Sequence, residues 1–177
     1  MPIREVLQLG NPLLRQPADA VADPGSGEVA ATLADLSDTL AHWRATTGYG
    51  RGIAAPQIGV LQRIVFMNID QQTPWPLINP QIIARSDDTL VVWDACLSFL
   101  VIFCQVTRHR TITVRYQDTA GVWHEIAAEG DLAELLQHEI DHLDGILAID
   151  RITDIRTLCT REEFERQYRD QTVYSQA

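Results

Sequence analysis

The sequence predicts an α+β fold in which mixed or antiparallel β-sheets pack around a central metal-binding helix, with one helix near the N-terminus and a short one near the C-terminus. Three observations lead there. Val29, Leu33, Leu36, Leu40 and Trp43 recur at the spacing of one helical face. Between positions 63 and 127 the chain breaks into short segments rich in β-branched and aromatic residues, separated by Pro, Asp and Gly. His138-Glu139-Ile140-Asp141-His142 then sets two histidines one helical turn apart. Strands gathered in the middle of a chain, with helices on either side, argue for α+β rather than alternating βαβ units.

Taken in order, the turn-like Asp23-Pro24-Gly25-Ser26-Gly27 precedes an amphipathic helix from Glu28 to about Ala45. Strands are expected at 63–68, 77–83, 89–93, 99–106, 111–117 and 122–127. The next helix carries Leu132, Leu135, Leu136 and Leu143 on its apolar face, with Asp131 as its expected N-cap and Gly145 as its stop. A last, charged helix is expected over 161–169.

With 177 residues and 46% hydrophobic content, the chain has the length of one ordinary domain and enough apolar side chains for a core. No repeat or linker divides it. Residues 1–177 are therefore read as a single domain, with a core at about 3–150 and a C-terminal extension at 151–177. The formal charge of -10 disfavours direct nucleic-acid binding, and the cluster Arg108, His109, Arg110 and Arg115 is too small to reverse that. The longest apolar run, Phe99 to Cys104, is far short of the ~20 residues that span a bilayer, and Met1-Pro2-Ile3-Arg4-Glu5 lacks the apolar stretch of a signal peptide. A cytoplasmic location without membrane association is the expectation. Three widely spaced cysteines point to reduced thiols or a metal ligand rather than a disulfide framework.

The motif Gln137-His138-Glu139-Ile140-Asp141-His142 carries the chemistry. On a helix His138 and His142 share a face and can close on one metal ion, while Glu139 stands beside them as a general base. A catalytic metal needs a third protein ligand. Cys96, in Asp94-Ala95-Cys96-Leu97-Ser98, competes with Glu162, which lies twenty residues after His142 as in thermolysin-like peptidases. Cys104, inside an apolar run, and Cys159 are weaker candidates. Gly50-Arg51-Gly52-Ile53-Ala54-Ala55-Pro56-Gln57 leaves a bare backbone for a substrate to lie against, and Gln57 offers a neutral amide donor for a developing oxyanion. Read alone, that segment is a small-residue turn.

Together, Gly50-x-Gly52-x-Ala54-Ala55-x-Gln57, Cys96-Leu97-Ser98 and Gln137-His138-Glu139-x-x-His142 resemble the three ordered motifs of the peptide deformylases. Leu9-Gly10-Asn11-Pro12-Leu13-Leu14-Arg15 is similar to that family's N-terminal segment, so the resemblance covers roughly residues 3 to 150. It implies that Cys96, His138 and His142 hold one divalent metal ion, Fe2+ in cells, with Zn2+, Ni2+ or Co2+ able to take its place. It implies that Glu139 is the general acid/base and that Gln57 and the Leu97 backbone N–H stabilise the oxyanion. The implied reaction removes the formyl group from the N-terminal methionine of nascent polypeptides, at the ribosome, and releases formate. Gly50, Gly52, Ile53 and Glu134 would then contact the substrate.

Four departures from the family pattern matter. Asp94 and Ala95 stand where the family usually has Glu and Gly, and Asp94 is expected to pair with Arg108. If position 95 required positive φ, alanine there would cost about 1 kcal/mol. Phe99-Leu100-Val101-Ile102-Phe103 replaces a Pro-Gly loop and reads as a buried or paired strand. Glu134 occupies a position that is usually apolar and lines the methionine pocket; it either faces that pocket or closes a capping box with Asp131.

Overall fold

The computed structural model describes residues 3–171. Ser26 caps the first long helix, α1 (Gly27–Thr47), by accepting a hydrogen bond from the Val29 N–H, and Gly48 ends it in the left-handed conformation. Seven strands and the motif helix follow: β1 (Gly52–Ala54), β2 (Ile64–Met67), β3 (Trp75–Arg85), β4 (Thr89–Ala95), β5 (Ile102–His109), β6 (Thr111–Gln117), β7 (Trp123–Glu129) and α2 (Gly130–Leu143). The short β8 (Cys159–Thr160) and α3 (Arg161–Gln167) complete the chain.

The strands form two sheets, one in the order β1-β2-β3-β6-β7 and one in the order β4-β5-β8. All of these strand pairs are antiparallel. α2 lies between the sheets. Every residue from Ala133 to Leu143 is buried, so this helix is covered on all sides rather than on one stripe. Leu136, Ile140 and Leu143 pack with Val65, Leu77 and Val114 of the larger sheet. Burying a helix that bears five imidazole and carboxyl groups, Glu134, His138, Glu139, Asp141 and His142, is costly unless those groups have partners. The opposite sheet supplies partners for two of them, Asp94 for His138 and Arg108 for Asp141.

Several boundaries differ from the sequence expectation for identifiable reasons. β1 was legible only as a small-residue turn, because Gly and Ala have poor strand propensity; its pairing of Ile53 with Phe66 on β2 creates the strand. The apolar run at 99–103 does not begin as a strand. Leu97–Phe99 forms a 3-10 turn, Val101 is 73% exposed, and β5 starts only at Ile102. Phe103 does enter a paired strand, opposite Ala95 and Cys159.

Asp131 is not the N-cap of α2. Glu129 takes that position without a side-chain hydrogen bond, and Gly130 at φ +59 turns the chain into the helix. At the other end, Gly145 sits against the carbonyl of Arg15, where a β-carbon would lie 2.6 Å from the oxygen. The segment after residue 150 is tied into the core: Phe164 of α3 is fully buried and stacks on Phe103 at 4.1 Å between ring centroids.

Candidate active site and metal centre

His138 and His142 project from the same face of α2 with ring centroids 5.0 Å apart. Cys96 stands between the end of β4 and the 3-10 turn, and its Sγ is 3.2 Å from His142 Nε2. One ligand atom from each of Cys96, His138 and His142 falls within 4.8 Å of the others. All three side chains are buried.

The smaller sheet orients this trio. Asp94, two residues before Cys96, places Oδ1 2.8 Å from His138 Nδ1 and accepts a hydrogen bond of 3.0 Å from Arg108 Nη2 on the neighbouring strand. Arg108 also donates to Asp141 of α2, which accepts a second arginine hydrogen bond of 2.7 Å from Arg151. The expected Asp94–Arg108 pair is thus present, with the shorter carboxylate still reaching both partners. Ala95 does not have positive φ, so the extra methyl group carries no backbone strain.

Burial would raise the Asp94 carboxyl, but His138 and Arg108 hold it well below the usual range. Burial alone would lower His138; Asp94 and then Cys96 more than offset it and hold the ring well above its ordinary value. His142 goes the other way. Burial and the neighbouring His138 keep it far down, so its ring is neutral and its lone pair is available.

Glu139 Oε2 and His142 Nδ1 are among the buried polar atoms without a hydrogen-bond partner among the described residues. A thiol, two imidazoles and an unpartnered carboxyl oxygen converging in a buried pocket fit a divalent metal ion with one open position. A mixed thiolate and imidazole donor set suits Fe2+, Zn2+, Ni2+ and Co2+ alike.

Glu139 lies at the wall of the cavity next to this trio. Burial pushes its carboxyl up to about 7, with Glu134 and Asp94 adding to the effect and His138 opposing it. The backbone of β1 passes directly over it. A β-carbon on Gly52 would lie 2.7 Å from Glu139 Oε1, so a side chain there would push that carboxyl aside.

Gln57 faces the same cavity from the 3-10 turn Ala55–Ile58. Its Oε1 accepts the Ala54 N–H at 2.9 Å, which fixes the amide so that Nε2 points toward Cys96 Sγ at 3.6 Å and Ser98 Oγ at 3.3 Å. Leu97 is the first residue of its turn, so its N–H has no acceptor within that turn. Gln57 Nε2 points at Cys96, and Leu97 lines the same cavity.

Gly50, Gly52 and Glu134 line the cavity, as do Arg51, Tyr49, Ala95, Leu100 and Leu135. Ile53 does not; it is fully buried behind β1, packed with Leu36, Phe66 and Leu97. Glu134 does not close a capping box. Its Oε2 accepts a hydrogen bond of 2.8 Å from Arg51, whose other amino group binds both oxygens of Asp131 at 2.7 Å. Arg51 and Tyr49 escaped the sequence reading. Arg51 filled a variable position of the motif, and its importance depends on Glu134, 83 residues away.

The rival ligands lie elsewhere. Glu162 is exposed on the first turn of α3. Cys104 is fully buried in β5, with burial pushing its thiol up to about 12, and Cys159 pairs across the strand from Phe103.

Comparison with known proteins gives a consistent answer. A family model described as polypeptide deformylase matches residues 3–157. A peptide deformylase of Thermotoga petrophila is 38% identical over 154 residues, covering 87% of this chain and 90% of its own. One from Bartonella tribocorum is 35% identical over 181 residues, covering 98% and 97%. The crystal structure of peptide deformylase from Thermotoga maritima superimposes with a TM-score of 0.80 at 36% identity, over 87% of this chain and all of that one. A peptide deformylase from Synechococcus elongatus in complex with actinonin superimposes with a TM-score of 0.81 at 30% identity, over 94% and 87%.

Proposed function

The chain belongs to the peptide deformylase family, enzymes that remove the N-formyl group from nascent polypeptides and release formate, and from that premise we propose how its own residues divide the work. Cys96, His138 and His142 hold one metal ion, Fe2+ in the cell. The convergence of their ligand atoms within 4.8 Å is the observation that carries this reading. When bound, the ion supplies Lewis acidity and lowers the pKa of water at its open position.

Glu139 takes the proton from the attacking water and later gives it to the departing amine. A carboxyl held up to about 7 is suited to both transfers near neutral pH. Gly52 keeps the space in which it moves. Gln57 Nε2 and the Leu97 N–H meet the negative charge that develops on the formyl oxygen. The anchoring of Gln57 Oε1 by Ala54 means that this donor needs no reorganisation during the reaction. Gly50 and Gly52 let the peptide backbone approach β1, and Glu134 borders the cavity that receives the first side chain. Ile53 acts from behind, as part of the apolar cluster that also holds Leu97.

Asp94 positions His138. Its carboxylate fixes which ring nitrogen carries the proton, leaving Nε2 for the ion, and Arg108 fixes Asp94 in turn. No helix among the described residues is long and apolar enough to cross a membrane, and formylated N-termini arise where chains leave the ribosome. We therefore place the protein in the cytoplasm, acting on chains as they emerge.

Formate release from formyl-Met-Ala-Ser by anaerobically prepared, metal-loaded protein tests the reading. Turnover is expected. Absence of formate from protein that retains one equivalent of metal would make the chain a non-catalytic member of its family.

A further inference from the structure

A second cleft opens on a different face of α2 from the one that carries Glu134, His138 and Glu139. It encloses about 460 Å³ and shares no lining residue with the catalytic cavity. Gln137, Ile140, Asp141 and Asp144, spaced as one helical face, form its floor. Its walls come from β3 of the larger sheet and β5 of the smaller one. That volume is in the range of small-ligand sites.

Arg63, Arg85, Arg108 and Arg151 border the cleft against two carboxylates, Asp141 and Asp144. Both carboxylates are already engaged. Asp141 accepts from Arg108 and, at 2.7 Å, from Arg151, and Asp144 accepts from Arg63 at 2.7 Å. The arginines nevertheless keep donors in reserve. Arg63 Nε and Arg108 Nε are buried without a partner among the described residues. Arg151 spends Nε and Nη2 on Asp141, which leaves Nη1, and the Arg85 guanidinium makes no hydrogen bond or ion pair among the described residues. Arg63 and Arg108 are fixed in place, the first by the carbonyls of Pro80 and Leu143 and the second by Asp94. The cleft thus carries a positive excess that the protein itself does not neutralise, on side chains largely set before any ligand arrives.

We propose that this cleft is a second binding site, for a small phosphate ester whose phosphate takes the free donors of Arg85 and Arg151 while its polar body lies against Gln81, Thr107 and His109. A dianion matches the excess of four arginines over two aspartates, and the planar guanidinium fork pairs with two phosphate oxygens at once. Arg63 and Arg108 add a fixed positive field beneath it. The remaining polar groups suit hydroxyls. His109 Nδ1 is 2.8 Å from the Ser86 carbonyl oxygen, which can only accept, so in the neutral ring Nε2 is the nitrogen left to accept from a ligand. The side chains of Gln81 and Thr107 make no hydrogen bond among the described residues. Ile82 and Ile140 offer the carbon skeleton an apolar patch. The site is separate from the deformylase centre and does not depend on turnover there.

The test is calorimetric titration of ribose 5-phosphate, inorganic phosphate and ribose into the zinc-loaded full chain at about 0.15 M salt. Ribose 5-phosphate is expected to bind once per chain with a Kd of about 0.1 mM or below, inorganic phosphate about tenfold more weakly, and ribose not measurably. Arg85→Gln and Arg151→Gln should each weaken the ester about tenfold, the scale of a hydrogen bond to a charged group. Arg156→Gln, on an exposed arginine outside the cleft, should leave its binding unchanged. Methyl NMR of the wild type locates the ligand without any substitution: the signals of Ile82 and Ile140 should move on titration, and those of Leu100 and Leu135 in the catalytic cavity should not. No binding of the ester, binding that survives Arg85→Gln, or equal affinity for inorganic phosphate would overturn the proposal. So would shifts confined to Leu100 and Leu135, which would put the phosphate at the metal centre.

Discussion

Gly52 and Glu139 occupy one another's space: the Cα of Gly52 faces the Glu139 carboxyl so closely that a β-carbon would sit 2.7 Å from Oε1. The first glycine-rich segment and the metal-motif helix are therefore two halves of one site. Gly52→Ala should displace the carboxyl while leaving Cys96, His138 and His142 in place. The expected outcome is a fall in kcat of about 10²-fold or more, the scale of a misplaced proton-transfer group, with metal content unchanged. Steady-state kinetics alongside metal analysis checks this; loss of metal in the same variant would mean that Gly52 supports the whole centre.

Asp94 is expected to govern metal affinity through His138. Asp94→Asn keeps the size of the side chain but weakens the hold on both His138 and Arg108, with which it makes contacts of 2.8 and 3.0 Å. Affinity should drop by about 10- to 100-fold, as for other second partners of metal-bound histidines. Competition with a chelator of known affinity measures it. An unchanged affinity would show that Asp94 serves only the packing of the smaller sheet.

Phe164 should be a stability residue for the part of the fold that lies farthest along the chain. It is fully buried, stacked on Phe103 and 5.4 Å from Trp93. Phe164→Ala is expected to destabilise by about 3–5 kcal/mol, the range for truncating a buried aromatic side chain. Denaturant unfolding reads it directly, and a change below about 1 kcal/mol would show that the Phe164 contacts contribute little to stability.

Glu139 also gives the metal-free protein a signed pH dependence. Its folded carboxyl sits at about 7, above its value of 4.5 in the absence of the fold. Between these values the folded state binds more protons than the unfolded state, so stability falls as pH rises through that window. Melting temperatures of metal-free wild type and Glu139→Gln should therefore diverge with rising pH, the wild type losing more between pH 5 and 7.5. Parallel curves would show that Glu139 is not held in a charge-disfavouring environment.

Much of this was legible in the sequence wherever a residue's role depends on its near neighbours. The helical spacing of Val29, Leu33 and Leu36, the alternation along 111–117, and the His138–His142 interval each fix local geometry, and the structure contains those elements. The order of three motifs located Cys96 and Gln57 beside them. What escaped depends on partners distant in sequence. Asp131 looked like a helix cap because it precedes an apolar run, yet Arg51 draws its carboxylate away. Glu134 looked equally able to cap or to line a pocket, and the same arginine decides between them. β1 is a strand only because β2 pairs with it.

The most direct test of the central claim is metal content together with formate release in Glu139→Ala, with formyl-Met-Ala-Ser as substrate. The account expects one equivalent of metal, held by Cys96, His138 and His142, and a loss of kcat of at least about 10³-fold, because both proton transfers lose their carrier. Near wild-type release of formate would contradict it.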